Sequence, residues 1–505
     1  LGGHISEMMM MARRQSWMIV VALLFCYVYT LPRWADWSQN SRLDLLMALS
    51  IEQSVRIDTY AANTGDYALY NGHKYSDKAP GPVFLALPAA LLLQPIFDLP
   101  FSQQVLERLA NGAALGATLN PNGTGLASEK LRFFILQVAL TGLTIALPSA
   151  LAALALIALL KRFVSDSRLV MLLTFAYSLG TMLAVYSGNF YSHALVAALL
   201  LGAWALSMES YHPSRAVLLG LLLGWAAISE YPVVLPGLLI GLAALWNWRS
   251  FSALVWLTIS GLLPIVLLVV YDLRAFGTPW PVGYQYSELW QDQHHTGFMS
   301  LTYPHPEGLW GLLFGLFRGM FVRAPWLLLA VPGYRFWWRS GQYRVMWLVS
   351  LLASLSLLLF YSSSAMWWGG FSAGPRYIVP MVPFLAVSAG WTAVLLWRIA
   401  IGRVVLVGLI GASVVLTWAE GIARQQFPPD TILNPWLDYT LPAWQSGDIA
   451  RNLGMVLGLP GLFSLIPLVL LMLGAVWFCL RSQPTTSVLL SEPSLEGQSV
   501  ASIQH

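Results

Sequence analysis

Long apolar runs recur along this chain and limit its fold more than any other feature. A first run spans Trp17 to Leu31, and others follow at about 80–97, 132–160, 168–186, 190–208, 215–229, 231–246, 252–271, 309–333, 345–361, 376–397, 402–419 and 459–480. Many approach the roughly 20 residues that cross a bilayer's hydrocarbon core, and turns rich in Gly, Pro or charge separate them. Only helices and closed barrels satisfy their backbone inside lipid. These runs are too long and too uniformly apolar for the alternating strands of a barrel. The expectation is an all-α, polytopic transmembrane helix bundle of about 12 to 14 spans. Composition agrees, since 10% of the 505 residues are charged, against about 25% in soluble chains. The excess of 27 Lys+Arg over 23 Asp+Glu is small, so it bears on topology and implies no nucleic-acid partner. Cys26 and Cys479 both lie in apolar runs, which supports neither a disulfide framework nor a Cys-rich metal site.

Basic residues orient the bundle. Arg13 and Arg14 precede the first run and no small-residue cleavage site follows it, which predicts an uncleaved first helix with residues 1–16 in the cytoplasm. Arg335, Arg339 and Arg344 mark one cytoplasmic loop, Arg398 and Arg403 another, and Lys161, Arg162 and Arg168 a third. The membrane domain is then 17–480, with exterior loops 32–79, 272–308, 362–375 and 421–458. Residues 481–505 read as a disordered tail. The segment 98–131 fits in one of two ways: either 80–97 is re-entrant, or Gln103–Leu119 is a weak extra span. No internal repeat is visible, which counts against transporter folds built from repeated halves.

The first exterior loop gathers Asp36, Asp44, Glu52, Asp58, Asp66 and Asp77. A carboxylate at the mouth of a bundle can deprotonate a hydroxyl or hold a divalent cation, and a lysine can neutralise a phosphate leaving group. The bland alternative is a solvated loop whose charges face water. Arg42, Asp66, His73, Tyr75, Asp77 and Lys78 of this loop are candidate substrate-binding residues. His193 and Glu230 join them as ionisable groups within apolar runs, where the alternative for His193 is a satisfied packing residue. Tyr284, Tyr286, Trp290, His294, His295, Tyr303 and His305 offer stacking faces and hydrogen bonds for a sugar. The adjacent His294-His295 pair lacks the i, i+4 spacing of helical zinc ligands. Most of the 23 Trp residues lie near run ends and read as an interfacial belt. Asn122-Gly123-Thr124 matches a glycosylation sequon too short to decide anything.

The run Tyr75-Ser76-Asp77-Lys78-Ala79-Pro80-Gly81, after an acidic loop that follows the first helix, resembles the GT-C superfamily of polyprenyl-phosphate-dependent glycosyltransferases. The likeness is to the bacterial branch related to protein O-mannosyltransferases and aminoarabinose transferase. That family carries Lys-Pro-Pro here, so Lys78 matches and Ala79 departs. The likeness continues in Tyr186-Ser187-Gly188-Asn189-Phe190-Tyr191-Ser192-His193, Phe276-Gly277-Thr278-Pro279, Phe317-Arg318-Gly319-Met320-Phe321 and Trp367-Trp368-Gly369-Gly370-Phe371-Ser372-Ala373-Gly374-Pro375-Arg376-Tyr377.

The resemblance implies an inverting transfer of a sugar from a polyprenyl-phosphate donor to a lipid, glycan or protein acceptor at the exterior face of a cell-envelope membrane. It implies an acidic residue of the first loop that serves as catalytic base or metal ligand, for which Asp44 is the first choice and Asp58 the second. Lys78, where a loop meets a helix at headgroup level, suits a phosphate, though it could merely snorkel. Arg376, at a Gly-Pro turn on the exterior side, offers planar bidentate donors and runs against the positive-inside trend. Arg318, inside an apolar run, is a third phosphate candidate. A divalent cation remains open as a cofactor. The rivals are a transporter or flippase of lipid-linked sugar, with charges at the bilayer midplane, and an oligosaccharide ligase of the same fold with a wider cavity.

Overall fold

Small residues and prolines decide how the apolar runs become helices. In the computed structural model, which describes residues 17–33, 36–111, 127–280, 282–297 and 300–481, the chain is a helical bundle with one two-stranded hairpin as its only sheet among the described residues. The stretch 1–16 expected in the cytoplasm, the tail beyond 481, the sequon at 122–124 and the later part of Gln103–Leu119 lie outside the described residues.

Among the described residues, six helices are long and apolar enough to cross a membrane: Lys130–Leu160, Tyr231–Trp248, Phe251–Phe276, Arg344–Ser362, Arg376–Trp397 and Ala400–Ile422. Five apolar helices among them are shorter, Trp17–Tyr29 (α1), Ser167–Leu179, Ser192–Ser207, Pro213–Ser229 and Gly461–Trp477. The count by length therefore falls below the 12 to 14 expected, because polar and Gly/Pro breaks divide several runs. The run at 309–333, for example, is divided among Pro306–Leu313, Met320–Arg323, a 3₁₀ turn at Pro325–Leu329 and the start of Ala330–Ser340.

The helix Gly81–Phe97 (α3, after α2 at Trp37–Met47) meets Pro100–Ala110 (α4) at 90° and makes a seventh span only if the two count as one. Pro100 lacks an N–H and opens a new helix direction. α4 buries only Leu106 and carries Glu107 and Arg108.

The helices Pro213–Ser229 and Phe251–Phe276 pack closely through Gly220 and Gly224, where a Cβ would collide with the backbone of Leu257 and Gly261. This Gly-x-x-x-Gly spacing lets backbones approach where lipid gives no hydrophobic drive. Gly81 likewise lies against Ser229, and Trp225 Nε1 donates to Gly81 O at 3.0 Å. These contacts fix the start of α3 and hence Lys78.

The first long loop is not an open solvated loop. Asp36 caps α2 by accepting from Gln39 N at 3.2 Å, and residues 38–47 are all buried although six of the ten are polar. A polar helix stays buried only when its groups are bonded. The segment Asn189–Ser192 supplies much of that bonding: Phe190 N donates to Gln39 Oε1 at 2.7 Å, Gln39 Nε2 to Asn189 Oδ1 at 3.5 Å, and Arg42 Nη2 to Ser192 Oγ at 3.2 Å. After α2 the chain forms a hairpin of Ala68–Tyr70 (β1) and His73–Tyr75 (β2), with Ala68 opposite Tyr75. Asn71 and Gly72 both have positive φ, as a two-residue Asn-Gly turn requires.

Candidate active site

Asp36, at the N-terminus of α2, and Asp66 are the acids that line a polar cavity beside the first long loop. That cavity has a volume of about 200 Å³ and is lined by Asp36, Ser38, Asp66, Arg376 and Gln426 between the rings of Trp37, Trp290, Phe371 and Phe427. Asp36 Oδ2 accepts from Tyr191 OH at 2.6 Å. Burial pushes its carboxyl above the ordinary value, against the pull of Tyr191, Arg376 and Arg33.

Across the cavity, Arg376 is buried, and among the described residues no carboxylate forms an ion pair with it. Its Nη1 donates to Tyr191 OH at a long 3.4 Å and its Nε has no partner. Its guanidinium carbon lies 5.4 Å from the Tyr191 ring centre and 5.2 Å from that of Tyr377. Aromatic faces therefore hold the cation without neutralising it.

The loop that delivers Arg376 is braced from below. Arg323 and Glu420, both fully buried, pair at 2.7 and 3.2 Å, and Glu420 Oε1 accepts from Gly374 N at 2.8 Å. Gly374 has φ +54, and a Cβ there would come within 2.9 Å of Arg323 Cδ. Arg318 serves the same loop, donating Nε to Trp368 O at 3.1 Å and Nη2 to Gly370 O at 2.9 Å. It is committed to backbone carbonyls and does not line the cavity.

Lys78 reaches the cavity through Asp66. Its Nζ lies 2.7 Å from Asp66 Oδ1 and 3.1 Å from Asp77 Oδ1, and Ser287 Oγ donates to Asp77 Oδ2 at 2.9 Å. Burial works against the Asp66 carboxylate, yet the Lys78 ammonium outweighs it and holds Asp66 below the ordinary value. Asp77 moves the other way, up to about 6, through burial and then the Asp66 charge. The two carboxylates keep Lys78 charged despite its burial.

The other sequence candidates lie elsewhere. Asp44 is buried on α2 away from the cavity lining, with Asn63 Nδ2 at 3.4 Å from Oδ1 and no partner for Oδ2. Burial raises its carboxyl well above the ordinary value. Asp58 and His73 form a half-exposed pair, His73 Nδ1 to Oδ2 at 2.9 Å, with Lys74 N donating to Oδ1 at 2.7 Å. Tyr75 packs on Phe276 at 5.3 Å between ring centres. Arg42 is bonded to Ser38 and Ser192. His193 Nδ1 lies 3.0 Å from Glu230 Oε1, off the hydrogen-bonding axis, and Ser192 Oγ donates to the same oxygen. His193 sits behind Arg376, its ring 5.8 Å from both Tyr191 and Tyr377. His294 packs on Tyr284, and His295 Nε2 lies 3.1 Å from Gln285 O.

Asp36, Tyr191 and the Arg323–Glu420 brace are what sequence reasoning missed. Asp36 had a signal, an N-capping Asp directly after the first helix, but so many acids share that loop that the capping pattern alone did not single it out. Among the described residues no group of three or more His, Cys, Asp or Glu side chains could hold a metal ion. The loop acids do not fit a divalent cation as arranged, since Asp66 and Asp77 share Lys78 while Asp36 is bound to Tyr191.

No family model matches the chain, and no curated protein matches it. Among solved structures it is similar to ArnT from Cupriavidus metallidurans in the apo state, at 16% identity over 94% of this chain and 74% of that one, with a TM-score of 0.46. It is also similar to ArnT from Cupriavidus metallidurans bound to undecaprenyl phosphate, at 16% identity over 92% and 73%, with a TM-score of 0.43. These structural neighbours are an aminoarabinose transferase, of the branch that the sequence motifs resemble.

Proposed function

We propose that this chain is an integral membrane glycosyltransferase that moves a sugar from a polyprenyl-phosphate donor to an acceptor hydroxyl at the exterior face of the membrane. The observation that carries the reading is Arg376, a buried cation with no carboxylate partner among the described residues, opening on the cavity that Asp36 also lines. A buried unpaired guanidinium calls for an anion, and a phosphate oxygen pair matches its planar donors. Lys78 acts one step behind it. By compensating Asp66, it removes a negative charge that would otherwise repel the phosphate.

The reaction follows from this placement. The acceptor oxygen forms a bond to the anomeric carbon while its proton passes to Asp36. The carbon–oxygen bond to phosphate breaks, leaving its electron pair on a phosphate oxygen that Arg376 stabilises. Asp36 replaces Asp44 and Asp58 as the candidate base, since neither of those lines the cavity. The rings of Trp37, Trp290 and Phe371 offer stacking faces for a sugar. At about 200 Å³ the cavity is smaller than the roughly 300–1,000 Å³ of pockets for drug-sized ligands. That favours transfer of a single pentosyl or hexosyl unit over a preassembled glycan. A transporter of lipid-linked sugar fits less well, because the charges gather at one end of α2 and α3.

The test is reconstitution of the chain in liposomes with labelled polyprenyl-phosphate sugars, offered one at a time with an envelope lipid extract as acceptor. Transfer from at least one donor, lost in Arg376→Ala, is the expected result. Absence of transfer from every monosaccharide donor defeats the reading, and uptake of intact donor into the lumen would favour the transporter.

A further inference from the structure

We infer that Tyr191 is a positioning residue that ties the general base Asp36 to the anion-binding Arg376 through one phenol oxygen. The inference rests on the transfer reading above and adds to it a role for the segment Asn189–His193. Tyr191 is buried behind the cavity and does not line it. Its hydroxyl has one proton and gives it to Asp36 Oδ2 at 2.6 Å, while a lone pair receives Arg376 Nη1 at 3.4 Å. The short bond favours the ionised, proton-accepting form of Asp36 against the burial that raises its carboxyl. The long one leaves Arg376 free to turn its donors to a phosphate.

The phenol is itself held firmly. Its ring stacks on His193 at 5.8 Å and 23° and meets Tyr186 edge-on at 5.3 Å. Phe190 N, its chain neighbour, is tied to Gln39 on the first turn of α2. Tyr186 OH bonds to Ala373 O at 2.7 Å, so the same segment touches both the base helix and the arginine loop.

The groups facing Asp36 are Tyr191, Arg376, Arg33 and the Gln39 amide, with Asp66 across the cavity and Tyr186 behind. Of these, Tyr191 is the side chain that bonds the carboxylate directly. A hydrogen bond to the charged form favours that form. Removing the hydroxyl therefore raises the pH at which Asp36 loses its proton. The size expected for one charge-assisted bond is about one pH unit.

The experiment is an infrared pH titration of the purified full chain, with Asp36→Asn subtracted to isolate the Asp36 carboxylate band. Tyr191→Phe keeps the stacked ring and should move the midpoint up by about one unit. A difluorotyrosine placed at 191, a stronger donor in the same shape, should move it down. Should Tyr191→Phe fail to fold, the fluorinated residue alone decides. A midpoint that stays put in both proteins, or moves in the opposite direction, overturns the inference. A purely structural Tyr191 predicts no shift with either replacement. In the transfer assay, the acid limb of the kcat/KM profile should move with the midpoint. The infrared titration needs no donor, so absence of transfer by the wild type defeats the function reading without deciding this one.

Discussion

At the residue scale, the scarcity of charge makes each buried ion informative. Arg376→Lys keeps the charge and loses the planar fork, so transfer should fall by about 10- to 100-fold in kcat/KM, and Arg376→Ala should fall further. Lys78→Met leaves Asp66 and Asp77 buried without their cation. Breaking such a pair costs about 3–5 kcal/mol, which unfolding in detergent by thermal melt should register as a large fall in Tm. Asp77 gives a pH signature. Its carboxyl is raised to about 6 from an ordinary 3.8, so the folded state holds a proton that the unfolded state has released. Stability should fall as pH rises between those values, and Asp77→Asn should lack that fall. Lys78 and Arg376 were legible in the sequence because each is a charge at the edge of an apolar run. Asp36 was not, because its distinction is contact with Tyr191 and a shared cavity with Arg376, residues 155 and some 340 positions away. No local pattern encodes closures of that length.

At the scale of elements, close helix contact and buried bracing position the site. Gly220 and Gly224 permit the approach of Pro213–Ser229 to Phe251–Phe276, so Gly224→Leu should push the pair apart and release Ser229 from Gly81. Overpacking of this kind costs about 1–3 kcal/mol or more, visible as a lower Tm and as weakened donor binding. The Arg323–Glu420 pair holds Gly374 and with it the loop bearing Arg376. Glu420→Gln should leave a buried guanidinium uncompensated and cost about 3–5 kcal/mol. The helices themselves were legible because apolar length decides them. Two things were not. The Asn71-Gly72 turn does signal a hairpin, but its strands are three residues each, too short to show an alternating pattern. The burial of α2 could not be read from a polar sequence, since the partners that satisfy it come from Asn189–Ser192.

At the scale of the whole molecule, four of the buried charges gather at one place. Asp36, Asp66, Lys78 and Arg376 meet around a single cavity walled by Trp37, Trp290 and Phe371, while Asp58 and His73 stay on the hairpin surface. A sequence can report that such residues are few and where along the chain they fall. Convergence of the first loop, the segment after Tyr186 and the loop before Arg376 needs the packed bundle. The proposed transfer chemistry rests on Asp36, and the most direct test compares Asp36→Asn with Asp44→Asn in liposomes, at equal amounts of folded protein and with the donor the wild type uses. Sugar transfer should fall by about 100-fold or more in Asp36→Asn and survive in Asp44→Asn. Wild-type turnover by Asp36→Asn would rule Asp36 out as the base.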